Sequence, residues 1–81
     1  MRVSESGDRS HHYLFQKVVT AFQRGDYATA LREFKRLAKQ GLAPAQYNLG
    51  LMYANGRGVS QDYKTAVKWY RLAAEQGNAN A

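Results

Sequence analysis

A stretch that occurs twice decides the fold of this chain: residues 26–45 read DYATALREFKRLAKQGLAPA, and residues 62–81 read DYKTAVKWYRLAAEQGNANA. The two copies align without a gap at an offset of 36 residues, and nine of the twenty positions are identical. Chance does not readily place this many matches in register, so the chain contains a duplicated unit.

Each copy has the residue spacing of an amphipathic helix. The apolar positions are Tyr27, Ala30, Leu31, Phe34, Leu37 and Ala38 in the first copy and Tyr63, Ala66, Val67, Tyr70, Ala73 and Ala74 in the second. Asp26 and Asp62 stand where an N-cap side chain accepts from backbone amides of the first turn. Gly41 and Gly77 stand where a helix commonly ends in the left-handed conformation.

A second helix is predicted before each copy. Within residues 44–55 the apolar stripe consists of Ala45, Leu49, Met52 and Tyr53. Residues 13–24 supply the equivalent helix at an offset of 31, because Leu14, Val18 and Phe22 match Ala45, Leu49 and Tyr53. Gly50 lies inside its helix and predicts the close approach of a neighbouring helix, since glycine otherwise costs about 1 kcal/mol there.

The two offsets differ because the second unit has a longer loop. Five additional residues separate its helices, and Gly56 and Gly58 in this loop allow positive φ angles. We therefore predict an all-α, single-domain protein of two stacked antiparallel helix hairpins. The predicted segments are a polar N-terminal tail at 1–10, hairpins at 11–41 and 42–77, and the start of a further repeat at 78–81.

Composition limits the classes of function. The chain has 81 residues, no cysteine and a formal net charge of +6, which excludes a disulfide framework, a thiolate metal site and a cysteine nucleophile. No segment is apolar over the 18 or more residues of a membrane span, so no membrane insertion is expected. A cytoplasmic location is expected, or a periplasmic or secreted one if the chain is a fragment that lacks its signal.

A family resemblance rests on two runs of residues, AQYNLGLMYANGRGV at 45–59 and DYKTAVKWYRLAAEQGNA at 62–79. Together they resemble one complete Sel1-like repeat, a relative of the tetratricopeptide repeat (TPR). The first unit, which has Val18-Val19 in place of the Leu49-Gly50 pair, is closer to a plain TPR hairpin. The resemblance implies a right-handed α-solenoid and a role in protein–protein interaction, as in bacterial envelope, secretion and signalling scaffolds. Some cysteine-rich members act on penicillins, a branch that this cysteine-free chain does not match.

The resemblance also implies a partner-binding groove, because the first helix of each TPR hairpin lines the concave side of a solenoid. The positions carried over are Gln16, Lys17, Thr20 and Arg24 in the first unit and Tyr47, Asn48, Leu51 and Asn55 in the second. Such a groove is polar and moderately basic, which suits an acidic peptide or helix, and Tyr47 could anchor it. The alternative is that these residues are simply exposed.

The uncapped C-terminal helix is a second candidate surface, since a solenoid usually requires a polar cap at its end. Trp69, Tyr70 and Ala73 would form a self-complementary patch there, and we expect a concentration-dependent homodimer. Two alternatives are that this end docks another protein and that the chain is a fragment of a longer array of repeats.

No constellation of residues indicates catalysis, a cofactor or a metal site. The adjacent His11 and His12 point about 100° apart on a helix, which argues against shared metal ligation. Asp26 and Asp62 are explained as caps, and no hydroxyl stands in a nucleophile motif. Basic side chains form a stripe at Arg32, Lys35, Arg36 and Lys39 and another at Lys64, Lys68 and Arg71.

The sequence therefore predicts a non-catalytic adaptor or scaffold whose protein partner has an acidic surface. Two alternatives remain open: a small basic inhibitor or immunity protein that covers an acidic enzyme surface, and a nucleic-acid-associated adaptor. Nucleic acid is the less favoured partner, because the aromatic residues occupy core positions and do not alternate with the basic ones.

Overall fold

The computed structural model of this chain describes the backbone of residues 2–80 and the side chains of residues 13–76. Over these residues the chain forms four helices: α1 (Arg2–Gln23), α2 (Tyr27–Lys39), α3 (Ala43–Asn55) and α4 (Tyr63–Asn80). Each helix packs against its neighbour in sequence, α1 on α2, α2 on α3 and α3 on α4. The prediction of an all-α protein of stacked helix hairpins is confirmed.

Glycine ends the first three helices, as the repeat alignment predicts for Gly41. At that position φ is +94°, the Gly41 amide donates to Ala38 O, and the Leu42 amide donates to Leu37 O at 3.2 Å. These two bonds form a Schellman motif, which satisfies carbonyls at the end of α2. Gly25 and Gly56 end α1 and α3 with φ of +85° and +67°, and their equivalence supports the offset of 31 between the first helices.

The prediction that Gly77 ends a helix is wrong, because α4 continues to Asn80. The Schellman motif is usually accompanied by an apolar contact between the residue after the glycine and the last helical turn. Leu42 provides that residue after Gly41 and packs against the core cluster. Asn78 occupies the matching position after Gly77, so the apolar contact that favours a left-handed glycine has no counterpart in this sequence.

Helix α1 begins at Arg2, well before the start at residue 13 that the apolar spacing predicts. The segment from 2 to 23 contains no proline, so nothing in it forbids a continuous helix. The side chains of the predicted tail, of His11 and His12, and of residues 78–81 lie outside the described residues. The predicted domain boundaries at these ends therefore stay a prediction.

The hydrophobic core joins all three helix pairs. Its buried apolar residues are Val18, Ala30, Phe34, Leu37, Ala38, Ala45, Leu49, Met52 and Ala66. Four positions that the apolar spacing assigns to the core are exposed instead, namely Leu14, Tyr63, Val67 and Ala74. They lie on the outer faces of α1 and α4, where the described part of the chain places no further helix.

The α3–α4 loop packs on the preceding hairpin rather than extending into solvent. Arg57 Nη1 donates to the Tyr27 hydroxyl at 2.6 Å, and the guanidinium lies 5.5 Å from the centroid of the same ring. A Cβ atom at Gly58 would lie 2.9 Å from Tyr27 Cβ and 3.0 Å from its carbonyl oxygen. The loop that distinguishes the second unit therefore connects the two hairpins at the first turn of α2.

Gly50 has the role that the sequence predicts for it. A Cβ atom there would lie 2.8 Å from the ring atoms Cδ1 and Cε1 of Tyr70 and 3.2 Å from the carbonyl oxygen of Ala66. The missing side chain lets α4 approach α3 closely. Burial, followed by the charge of the neighbouring Tyr47, raises the pKa of Tyr70 above its ordinary value.

A buried glutamine, which apolar spacing could not reveal, also connects the hairpins. Gln46 is 4% exposed, its Nε2 donates to Ala38 O at 3.0 Å, and its Oε1 accepts from Gln76 Nε2 at 3.0 Å. The chain of bonds runs from the end of α2 through α3 to α4. Since a buried amide without partners costs about 1–3 kcal/mol, this pairing is what permits Gln46 in the core.

Asp26 and Asp62 are the N-caps that the sequence predicts. Asp26 Oδ1 accepts from the Thr29 amide at 3.4 Å. Asp62 Oδ1 accepts from the Thr65 amide at 3.2 Å, and its Oδ2 accepts from the Thr65 hydroxyl at 2.8 Å. The bond from the Thr65 hydroxyl first, and then that from the Thr65 amide, holds the pKa of Asp62 below its ordinary value.

The lowered pKa of Asp62 predicts a specific pH dependence of stability. A carboxyl group whose pKa is lower in the folded than in the unfolded state stabilises the fold above the unfolded pKa, about 4, and this contribution is lost as the pH falls through the folded value. We expect the wild type to be more stable than Asp62→Asn at pH 7 and the difference to vanish in acid. Urea unfolding of both proteins from pH 7 to pH 2 measures this, and a constant difference would contradict it.

Candidate partner-binding surfaces

The predicted groove residues lie on the first helix of each hairpin, and the structure leaves them at the surface. The exposed ones are Gln16, Lys17, Thr20, Arg24, Tyr47 and Asn55, and the half-buried ones are Asn48 and Leu51. We call these eight residues the first-helix stripe. Four belong to α1 and four to α3, at the positions that the offset of 31 makes equivalent. Binding of a partner to this stripe stays a prediction.

Tyr47 is the aromatic residue of the first-helix stripe. Its side chain is 53% exposed, yet its ring packs on Tyr70 of α4, with 5.5 Å between the ring centroids. The Tyr70 ring in turn lies against Gly50. An exposed aromatic ring held by a neighbour loses little conformational entropy on binding, which is a property of anchor residues at protein interfaces.

The cations of the stripe lie beside a cleft of about 270 Å³, which is lined by Lys17, Thr20, Ala21, Arg24 and Asp26. Lys17 Nζ also lies 5.4 Å from the centre of the Tyr13 ring. The Thr20 hydroxyl donates to Gln16 O within α1. Asp26 accepts from the Thr29 amide as the cap of α2, so the carboxylate in this cleft is already hydrogen-bonded.

A second cleft, of about 390 Å³, lies between α1 and α2 and was not identified from the sequence. It is lined by Leu14, Lys17, Val18, Ala21, Thr29 and Glu33. We call it the α1–α2 groove. The apolar spacing predicts Leu14 in the core. The signal for a groove lies in the alignment of the two units: α3 is covered by the second helix of the preceding hairpin, whereas no such helix precedes α1 in this sequence.

The basic stripes of α2 and α4 are solvated in large part. Arg32 and Arg36 form ion pairs with Glu33 at 3.4 Å and 3.3 Å, with about 70% of each arginine side chain exposed. Exposed pairs of this kind contribute little to stability, about 0–1 kcal/mol. Lys64, Lys68 and Arg71 are all exposed on α4.

Most of the predicted open-end or dimer surface packs against other residues of the protein. Trp69 is half-buried and packs on the core cluster, and Tyr70 packs between Tyr47 and Gly50. Ala73 is half-buried. The large apolar residues that α4 exposes are Tyr63, Val67 and Leu72, so a dimer through this helix, which stays a prediction, would involve them.

Nothing among residues 13–76 assembles into a metal centre, because no group of three histidine or acidic side chains comes together there. Within the same described part of the chain, no helix combines the length and the hydropathy of a membrane span.

Two stacked helix hairpins with a polar stripe along their first helices define a short, all-α, TPR-like solenoid. A family model described as the Sel1 repeat matches residues 43–78, so this segment is a Sel1 repeat. The match covers α3, the α3–α4 loop and most of α4, the unit in which the sequence resemblance was specific. Sel1 repeats generally mediate protein–protein interactions.

The relatives of this chain include proteins with regulatory names. It is 45% identical over 47 residues to the chitin synthase regulator SKT5 of Malassezia restricta, covering 58% of this chain and 3% of that protein. It is 46% identical over 43 residues to the DAP3-binding cell death enhancer 1 of Rattus norvegicus, covering 53% and 8%. It is 34% identical over 64 residues to an exopolysaccharide production negative regulator of Rhizobium leguminosarum bv. viciae, covering 79% and 24%.

The chain spans less than a quarter of the length of each of these relatives. The likeness therefore concerns the repeat and not the whole of any relative. No solved structure matches this chain.

Proposed function

We propose that this protein is a non-catalytic adaptor whose first-helix stripe binds an acidic segment of a protein partner. The observation that carries the proposal is the pairing of a braced, exposed aromatic ring at Tyr47 with two exposed cations, Lys17 and Arg24, on equivalent faces of α3 and α1. An aromatic anchor supplies contact area, and cations beside a cleft favour carboxylates.

The charge balance supports an acidic partner. Among its eight residues the stripe has two cations and no acid, and the whole chain carries a formal net charge of +6. Long-range attraction of this kind raises the association rate of an acidic partner and disfavours basic ones. The relatives named as regulators of chitin synthase and of exopolysaccharide production support a role in regulation by binding.

The test is affinity capture from the native lysate at low and high salt, followed by titration of the captured partner. We expect one stoichiometric protein, and we expect the double variant Lys17→Glu, Arg24→Glu to bind it at least about tenfold more weakly. The matched control is Lys64→Glu, Lys68→Glu, which makes the same change in net charge on α4 and should bind nearly as the wild type.

Equal loss in both double variants would indicate general electrostatics rather than the stripe. Capture of nucleic acid that is released by salt would identify a polyanion-binding protein instead. Unchanged affinity in a folded Lys17→Glu, Arg24→Glu variant would refute the stripe as the site.

A further inference from the structure

We propose that the α1–α2 groove binds an amphipathic helix with acidic flanks, contributed by a protein partner. This inference goes beyond the proposed function, because the groove lies on a different face of α1 from most of the first-helix stripe and the two surfaces share only Lys17. The duplication supports it, because the equivalent face of α3, one unit further along the chain, is covered.

The groove is apolar at its base and open to solvent. Val18 forms part of the buried cluster at 5% exposure, whereas Leu14 is 43% exposed. Ala21, about one turn after Val18 on α1, also lines the groove and is half-buried. A leucine exposed above a buried valine, in a cleft of about 390 Å³, is an apolar surface that a helix can cover.

The equivalent face of α3 is fully covered. Leu14, Val18 and Ala21 correspond to Ala45, Leu49 and Met52 at the offset of 31, and those three residues are all 0% exposed. They belong to one buried cluster with Ala30, Phe34, Leu37 and Ala38 of α2. The first helix of a unit therefore presents an apolar face on which an amphipathic helix such as α2 can pack.

Charge determines which helix fits on α1. Where the α1–α2 groove has Lys17, α3 has the neutral residue Asn48. Helix α3 packs beside α2, whose basic residues are Arg32, Lys35, Arg36 and Lys39. The face that receives a basic helix is thus neutral at this position, and the open groove has a cation there. A helix with acidic residues beside its apolar stripe is complementary to that open face.

A second copy of this chain is a poorer match for the groove. Its exposed α4 would bring Lys64, Lys68 and Arg71 towards Lys17, and like charges disfavour the contact. Glu33 on the α2 wall does not reverse this preference, because Arg32 and Arg36 hold its carboxylate at 3.4 Å and 3.3 Å. The remaining acid near Lys17 is Asp26, whose Oδ1 caps α2.

The experiment uses the full chain and two helical peptides that carry the same hydrocarbon staple on the polar face. One peptide has the sequence of α2, and the other has that sequence with the changes Arg32→Glu, Lys35→Glu, Arg36→Glu and Lys39→Glu. Fluorescence anisotropy measures their affinities. We expect the acidic peptide to bind at least about tenfold more tightly than the basic one.

Three variants test where and how the acidic peptide binds. Leu14→Glu, at an exposed position, should weaken binding at least about tenfold. Lys17→Glu should reverse the preference so that the basic peptide binds more tightly, a change that a merely structural effect would not produce. Tyr47→Ala, on the first-helix stripe, should leave the affinity for either peptide unchanged. Circular dichroism checks the fold of each variant.

Failure of the acidic peptide to bind at millimolar concentration, or binding that Lys17→Glu and Leu14→Glu leave unchanged, would overturn the proposal. Self-association that Leu14→Glu abolishes, without binding of the acidic peptide, would overturn it in favour of a second copy. Since Tyr47→Ala affects only the stripe, undiminished capture of the partner by this variant, with retained peptide binding, would count against the proposed function alone.

Discussion

Replacement of Phe34 by alanine is expected to remove most of the stability of this protein. Phe34 is 1% exposed and lies in α2 between the rings of Phe15 and Phe22 of α1, with centroid distances of 5.9 Å and 6.4 Å. Truncation of a buried phenylalanine costs about 3–5 kcal/mol, because it removes apolar burial and leaves a cavity. A domain of this size has a total stability of only about 4–12 kcal/mol.

Urea unfolding followed by circular dichroism measures the loss. The matched control is Val67→Ala, which shortens an apolar helical residue that is 49% exposed and should change the free energy of unfolding by less than about 1 kcal/mol. A cost below about 1 kcal/mol for Phe34→Ala would contradict the packing described here and would place the ring outside the core.

The second large effect is expected from Gly58→Ala in the α3–α4 loop. Gly58 has a φ of +74°, and a left-handed conformation costs a residue with a Cβ atom about 1–2 kcal/mol. The new Cβ would also lie 2.9 Å from Tyr27 Cβ and 3.0 Å from the Tyr27 carbonyl oxygen. Neither the carbonyl oxygen nor the Cβ atom of Tyr27 moves when its side chain changes rotamer, so the overlap cannot be relieved in that way. We expect a total cost of about 3 kcal/mol.

Gly25→Ala separates the two causes. Gly25 has a φ of +85°, similar to that of Gly58, but a Cβ atom there would meet nothing within 4 Å. It should therefore cost only the conformational part, about 1–2 kcal/mol. A difference between the two variants measures the contact of the loop with Tyr27, and equal costs would show that the loop does not press on the first hairpin.

The contact of the α3–α4 loop with Tyr27 is one of two connections between the hairpins outside the hydrophobic core. The loop of the second hairpin reaches the first turn of α2 through Arg57 and Gly58, and Gln46 joins the end of α2 to α3 and, through Gln76, to α4. The hairpins are thus connected at both ends of α2 as well as through the core. Such connections hold the two first helices in a constant relation, which a binding surface that spans α1 and α3 requires.

Much of the fold could be predicted from the sequence, because the signals involved are local. The 3.6-residue spacing of apolar residues, the caps Asp26 and Asp62, and the glycines after α1, α2 and α3 together indicate four helices in two hairpins. The same local reasoning failed at Gly77, where the residue after the glycine is Asn78 rather than a leucine. The candidate stripe was also predictable, since its members follow from the repeat offset.

The repeat, the helices and the resemblance of the second unit to a Sel1 repeat all follow from local sequence patterns. Which apolar positions are covered depends on tertiary contacts: Leu14 and Val67 have the spacing of core residues but are exposed, and Gln46 is polar but buried. The physical reason is that periodicity reports which face of a helix is apolar, whereas burial depends on whether another element lies against that face. Such contacts join residues about thirty positions apart, as Arg57 and Tyr27 do, and no local pattern contains them.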